Sequence, residues 1–200
     1  SRYLFGQTWS LFSHVNALPA MVDFAGPTGS VIIRTPQIRY SVPKAYRDIN
    51  LAVGLEYIIP DLKIPDSLLV ESFQVIPDIT VRLDKEYKWG QAQLSAVVPM
   101  LSGRDAKGDL ILKPGWGVSA SAIVNSWKDG KWYAQGVIGQ AISRYFNDLS
   151  GNGLDILFDS ELKAYVPLNY GFYGTYEHDW RADLSSNFTL GFVHVEKFSF

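Results

Sequence analysis

From Asn50 to Ile59 the residues Leu51, Val53, Leu55, Tyr57 and Ile59 alternate with Asn50, Ala52, Gly54, Glu56 and Ile58. Successive side chains of a strand point to opposite faces, so this period of two predicts a strand with one apolar face and one mostly polar or small face. The division recurs along the chain. Ile79, Val81 and Leu83 oppose Thr80, Arg82 and Asp84, and Leu94, Ala96 and Val98 oppose Gln91, Gln93 and Ser95. Trp116, Val118, Ala120, Ala122 and Val124 oppose Gly117, Ser119, Ser121 and Asn125. Tyr170, Phe172 and Tyr176 oppose Asn169, Tyr173, Thr175 and Glu177, while Leu184, Phe188, Leu190 and Phe192 oppose Ser185, Asn187 and Thr189. Each such strand needs water on one side and an apolar medium on the other.

The pattern predicts about nine strands: Tyr3 to Phe12, Ser30 to Ser41, Asn50 to Ile59, Ile79 to Leu83, Trp89 to Leu101, Gly115 to Asn125, Trp132 to Tyr145, Leu162 to Glu177 and Asp183 to Val193. Most approach the ~10 residues of a membrane-crossing strand. The connections alternate long and short through the chain, and Lys128-Asp129-Gly130-Lys131 reads as a tight hairpin because Asp-Gly supplies positive φ. Membrane barrels keep short turns on one side and long loops on the other. The expected fold is therefore all-β, an antiparallel up-and-down transmembrane β-barrel. Residues 1–200 form a single partial domain of it, about nine strands of a larger wall. Trp89, Trp127, Trp132 and Trp180 fall near short turns, as an interfacial aromatic belt would. The alternative is a soluble β-sandwich carbohydrate-binding module, in which the apolar faces meet a second sheet and the aromatics stack on sugar.

Composition removes other classes. Cysteine is absent, so there is no disulfide framework and no thiolate nucleophile or ligand. Lys plus Arg number 18 against 20 Asp plus Glu, a net charge of −2 without the basic footprint of a nucleic-acid binder. No apolar run reaches the ~20 residues of a membrane helix. His14, His178 and His194 are scattered without ligand spacing or a Ser and acid partner, so they are expected at the surface or in turns. No enzyme activity, metal or cofactor is expected.

The start, Ser1 to Trp9, enters as if mid-strand, without basic or apolar leader regions, and reads as an internal portion of a longer chain. Arg34, Arg39, Arg82 and Arg144 lie in or beside predicted strands, and Gln140 shares the parity of Arg144. A guanidinium never loses its charge and pairs bidentately with carboxylates, which suits an anion-selective constriction. These four, with Glu56 and Gln140, are the candidate pore-lining and substrate-binding residues. The competing account is an arginine solvated on a soluble face, or paired with Asp84 and Glu56 for structure. Pro36 cannot donate to a ladder, so an edge position or a bulge is expected there, and a bulge would bring Arg34 and Arg39 to one face. Asp23 reads as a turn cap, or as part of a loop folded into the pore.

Several motifs carry a resemblance: Gly6-Gln7-Thr8-Trp9, Ala17-Leu18-Pro19 with Asp23-Phe24 and Gly26-Pro27, Arg34 with Pro36-Gln37-Ile38-Arg39-Tyr40, and Gly139 with Arg144-Tyr145. With the His178-Asp179-Trp180 turn followed by Leu184-Ser185-Ser186, the chain resembles the DcaP-like outer-membrane porins. The resemblance implies a bacterial outer-membrane location and a homotrimeric barrel of about sixteen strands. It implies passage of small anionic solutes, dicarboxylates among them, past lumen arginines, with membrane lipid as the other partner. The chain departs from the family where its N-terminal segment, first strands and closing strands would lie. It also has Gly139-Gln140-Ala141 in place of a Gly-Glu-Gly run, which removes a carboxylate. Phe200 resembles a terminal assembly aromatic and equally suits an interior boundary.

Overall fold

The structure, a computed structural model, describes residues 2–23, 25–62, 71–72, 74–104, 110–126, 129–158 and 164–197. Phe24, Trp127, Lys128 and Phe200 lie outside them. The strands are β1 (Arg2–Trp9), β2 (Arg34–Tyr46), β3 (Ile49–Glu56), β4 (Glu71–Ser72), β5 (Asp78–Tyr87), β6 (Gly90–Val98) and β7 (Met100–Arg104). There follow β8 (Leu110–Pro114), β9 (Trp116–Asn125), β10 (Gly130–Gln140), β11 (Leu157–Phe158), β12 (Ala164–Tyr165), β13 (Leu168–Arg181) and β14 (Leu184–Val195). Nine of them form one sheet in the order β1-β2-β3-β5-β6-β9-β10-β13-β14, every neighbour antiparallel. The remaining short strands decorate the long connections as a three-stranded sheet, β4-β7-β8, and a pair, β11-β12. Among the described residues β1 and β14 do not pair with each other.

The meander places its turns by length. Two-residue turns join β2 to β3, β5 to β6 and β13 to β14, and a short turn joins β9 to β10. Arg47 and Asp48 both have positive φ (46° and 62°), the requirement of a tight hairpin whose twist matches its strands. The four long connections all leave the other end.

Burial on the sheet is inverted relative to a soluble protein. Val53, Leu55, Tyr57 and Ile59 are 39%, 44%, 46% and 56% exposed, while the intervening Gly54, Glu56 and Ile58 are buried. Tyr170 and Phe172 are exposed against buried Asn169, Tyr173 and Thr175, and Leu94 is exposed against buried Gln93 and Ser95. Among the described residues no second sheet covers the apolar face. Aromatics rim that face at both ends: Trp9, Tyr57, Trp116 and Tyr170 near the long loops, and Tyr87, Trp89, Trp132 and Trp180 near the short turns. Tyr87 stacks on Trp89 at 4.7 Å, and Trp132 meets Tyr176 at 4.7 Å. Trp132 lies opposite Val124, so on β9 the two girdles are separated by the stretch from Trp116 to Val124. At ~3.4 Å per residue that is roughly 27 Å of strand, or about 20 Å once tilted ~40°. A barrel's apolar band is ~25 Å tall, so girdles so placed fit the hydrocarbon slab with their rings at its edges.

Several strand boundaries differ from the sequence expectation, and those of β1, β10 and β2 bear on the site. β1 stops at Trp9, because the Ser10 hydroxyl accepts the Phe12 N–H at 3.0 Å and turns the chain inward, leaving Leu11 and Phe12 fully buried. β10 stops at Gln140, since Ala141 takes a left-handed φ of 61° and Ser143–Tyr145 form a 3₁₀ turn. β2 begins at Arg34 rather than Ser30 and runs through Pro36 with unbroken register against β1. Its irregularity falls later, between Val42 and Tyr46. Pro36 is thus neither at an edge nor in a bulge, and Arg34 and Arg39 point to opposite faces.

Candidate functional site

The buried polar face is covered by two long loops. Residues 10–33 cross it from β3 to β14, held at each step by the wall. The Leu11 N–H donates to Glu56 Oε1 at 2.8 Å, Gln93 Nε2 donates to the Ser13 carbonyl at 3.2 Å, and Ser95 Oγ donates to the Phe12 carbonyl at 3.3 Å. Farther along, the Val31 N–H donates to Gln135 Oε1 at 3.0 Å and the Tyr173 hydroxyl donates to the Ala17 carbonyl at 2.9 Å. Asn187 Nδ2 donates to the Ala20 carbonyl. Each bond contributes about 1 kcal/mol net, and together they order a segment whose backbone would otherwise stay hydrated. At its far end the loop lies directly on the wall. A Cβ added at Gly29 (φ 83°) would sit 2.3 Å from the Phe192 carbonyl oxygen, and one at Gly191 would sit 2.4 Å from that of Thr28. Only glycine permits this approach.

Residues 141–157 pack beside it. Phe12, Val31, Tyr145 and Phe146 of the loops join Val97 and Val137 of the wall in one apolar cluster, with Phe12 edge-on to Tyr145 at 5.3 Å. Arg144, 2% exposed, bridges Asp78 of β5 and Asp155 at 2.7 Å each, and the Tyr145 hydroxyl donates to Asp78 at 2.7 Å. Burial would favour a neutral guanidine, but Asp155 and Asp78 outweigh it and hold Arg144 above its ordinary range. Burial, reinforced by Asp78, pushes the Tyr145 phenol up well above its ordinary value.

What the loops leave open is the short-turn half of this face. Two adjoining cavities, of about 420 and 320 Å³, share Arg39, Arg82 and Asp84 in their walls. Arg39 stands opposite Gly54, and Arg82 stands between Ala52 and Ser95, so small neighbours give both guanidiniums room. Arg39 Nε donates to Gln37 Oε1 at 2.9 Å, and Nη2 donates to the Trp9 carbonyl. Arg82 pairs with Asp84 at 3.0 Å, and Asp84 also accepts from Asn50 at 2.8 Å. Arg39 therefore has no carboxylate partner among the described residues.

The candidate residues divide accordingly. Arg39 and Arg82 come together on the loop-covered face. Arg34 is on the apolar face beside Trp9, its guanidinium 5.7 Å from the ring centroid, where an interfacial arginine snorkels. Gln140 is on that face too, accepting from Trp116 Nε1 at 3.2 Å. Glu56 and Arg144 are buried anchors of the loops. Asp23 caps a turn by accepting the Ala25 N–H at 2.9 Å, and the loop that carries it folds inward by other contacts. Two residues escaped the sequence reading. Arg2 lines the larger cavity, but β1 mixes polar and apolar residues on both faces and gave no orientation. His14, expected at the surface or in a turn, lies beside a turn of the covering loop but is only 4% exposed, with Nδ1 2.7 Å from Ser121 Oγ and Nε2 3.4 Å from Gln91 Oε1.

No family model matches the chain, and no curated protein matches it. Among solved structures it aligns with the crystal structure of the outer membrane channel DcaP of Acinetobacter baumannii, with a TM-score of 0.76 at 22% identity, over 97% of this chain and 53% of that one. The fold is that of an outer-membrane β-barrel channel. The chain spans about half the length of that channel. Among the described residues no helix is long and apolar enough to cross a membrane and no His, Asp or Glu cluster could hold a metal ion. Neither observation bears on spanning by strands.

Proposed function

We propose that this chain builds wall and constriction of a passive channel in the bacterial outer membrane, admitting small anions such as dicarboxylates past Arg39 and Arg82. The observation that carries this reading is the inversion of the sheet: among the described residues, an apolar face ringed by aromatics and covered by no second sheet, backed by a polar face on which Arg39 makes no ion pair. A fixed positive charge in a narrow aqueous passage lowers the entry barrier for anions without any covalent step. The likeness to the outer membrane channel supports the location, and the sequence resemblance supports a homotrimer. In the full-length protein, purification requires detergent and the folded form migrates faster than the boiled form on gels. In planar bilayers under a KCl gradient, the reversal potential reports anion preference, and Arg39→Gln reduces it about two- to threefold, as for one unit charge acting through water over roughly 8 Å. Cation preference of the unaltered protein would refute the reading. A soluble carbohydrate module would instead stay folded in plain buffer.

A further inference from the structure

His14 is the one histidine that the fold carries to the polar face. It precedes the 3₁₀ turn Val15–Ala17 of the covering loop and lines the 320 Å³ cavity together with Arg39, Arg82, Asp84 and Gln91. Its contacts fit both protonation states. In the neutral ring Nε2–H donates to Gln91 Oε1 and Nδ1 accepts from the Ser121 hydroxyl, while in the imidazolium both nitrogens donate and both oxygens accept. Protonation therefore adds a charge without breaking the docking of the loop. Arg82 and Asp84 of β5, Arg39 of β2 and neutral Gln91 and Gln93 of β6 line the cavity with it, Ser121 of β9 is bonded to it, and Glu86 of β5 and the Tyr133–Glu177 pair of β10 and β13 lie on the same face of the sheet. Arg82 and Asp84 act on it with opposite signs, and burial is the largest influence, lowering its affinity for protons below the ordinary 6.5.

Resting on the proposed channel function, we propose that His14 is a proton-controlled cation of the constriction, neutral at pH 7 and charged on acidification, so that anion preference rises as pH falls. The loop carries it within the same cavity as Arg39 and Arg82, so a charge gained there adds to theirs. The sign follows from the lowered pKa. Above 6.5 the ring is neutral and contributes nothing, and below it the folded channel gains the proton only at the lower value. The difference between the parent channel and one without the imidazole isolates its charge.

The test uses the full-length protein in planar bilayers, with reversal potentials in a KCl gradient stepped downward from pH 7.5. The chloride-to-potassium permeability ratio of the unaltered channel rises about two- to threefold on acidification, one charge acting through water over roughly 8 Å. His14→Gln, which keeps a hydrogen-bonding side chain, lacks this rise. Gln91→Leu, the second variant, removes the side-chain acceptor that favours the protonated ring and moves the transition to lower pH. A parent channel without a pH response, or a His14→Gln channel that keeps it, overturns the proposal. Anion preference at pH 7.5 would still stand in either case, whereas cation preference at pH 7.5 removes the channel reading itself.

Discussion

Arg144→Met destabilises the folded channel by about 3–5 kcal/mol, the cost of removing one member of a buried charge network. The change leaves Asp78 and Asp155, both fully buried, without their cation. Their other partners are hydrogen bonds only: Tyr145, Gln74 and the Met100 N–H for Asp78, and Ser143 and the Asp61 N–H for Asp155. Asp78 is in the wall and Asp155 in the loop, so the loss falls on their attachment. Urea titration of the full-length protein in detergent, followed by tryptophan fluorescence, measures it. Adding Asp155→Asn to Arg144→Met restores part of the loss, because one stranded carboxylate is then neutral. If Arg144→Met unfolds at the parent's urea midpoint, the bridge contributes nothing.

Gly29→Val has the second large effect. A side chain there meets backbone rather than a movable group, with the Phe192 oxygen at 2.3 Å and the Phe172 oxygen at 2.9 Å, and φ is 83°. Overpacking and left-handed strain together cost upward of about 3 kcal/mol, more than two or three docking hydrogen bonds return. The covering loop leaves the β13-β14 end of the wall while the apolar girdle, which it never touches, still inserts. Single-channel conductance rises and the current becomes noisier. Gly191→Val acts in the same direction from the other side of the contact, since its Cβ would sit 2.4 Å from the Thr28 oxygen. An unchanged conductance in both variants would mean that the loop does not narrow the passage.

The wall was legible in the sequence because its signal is local. Alternation decides which face each residue takes, and the assignments for Leu51 to Ile59, Ile79 to Asp84 and Leu168 to Glu177 agree with the observed burial. The site was legible in part. Arg82 follows from parity, but parity sets Arg34 and Arg39 on opposite faces without saying which is inward, and Arg34 and Gln140 both stand at strand ends on the apolar face. What was not legible is nonlocal. Nothing around Glu56 announces that its carboxylate will receive the Leu11 N–H, and nothing around Arg144 announces Asp78 and Asp155. The burial of His14 was not legible because the hydroxyl and amide that receive it, Ser121 and Gln91, lie 107 and 77 positions away.

Those separations carry a consequence for assembly. The loop after β1 is synthesised well before β14, and its farthest attachment, from Ala20 to Asn187, spans 167 positions. Hairpins can zip up in order, each on its predecessor, but this segment has no complete berth until β14 is laid down. Closing so long a stretch of chain is slow, so maturation has a late step in which a wide, water-filled precursor is narrowed last.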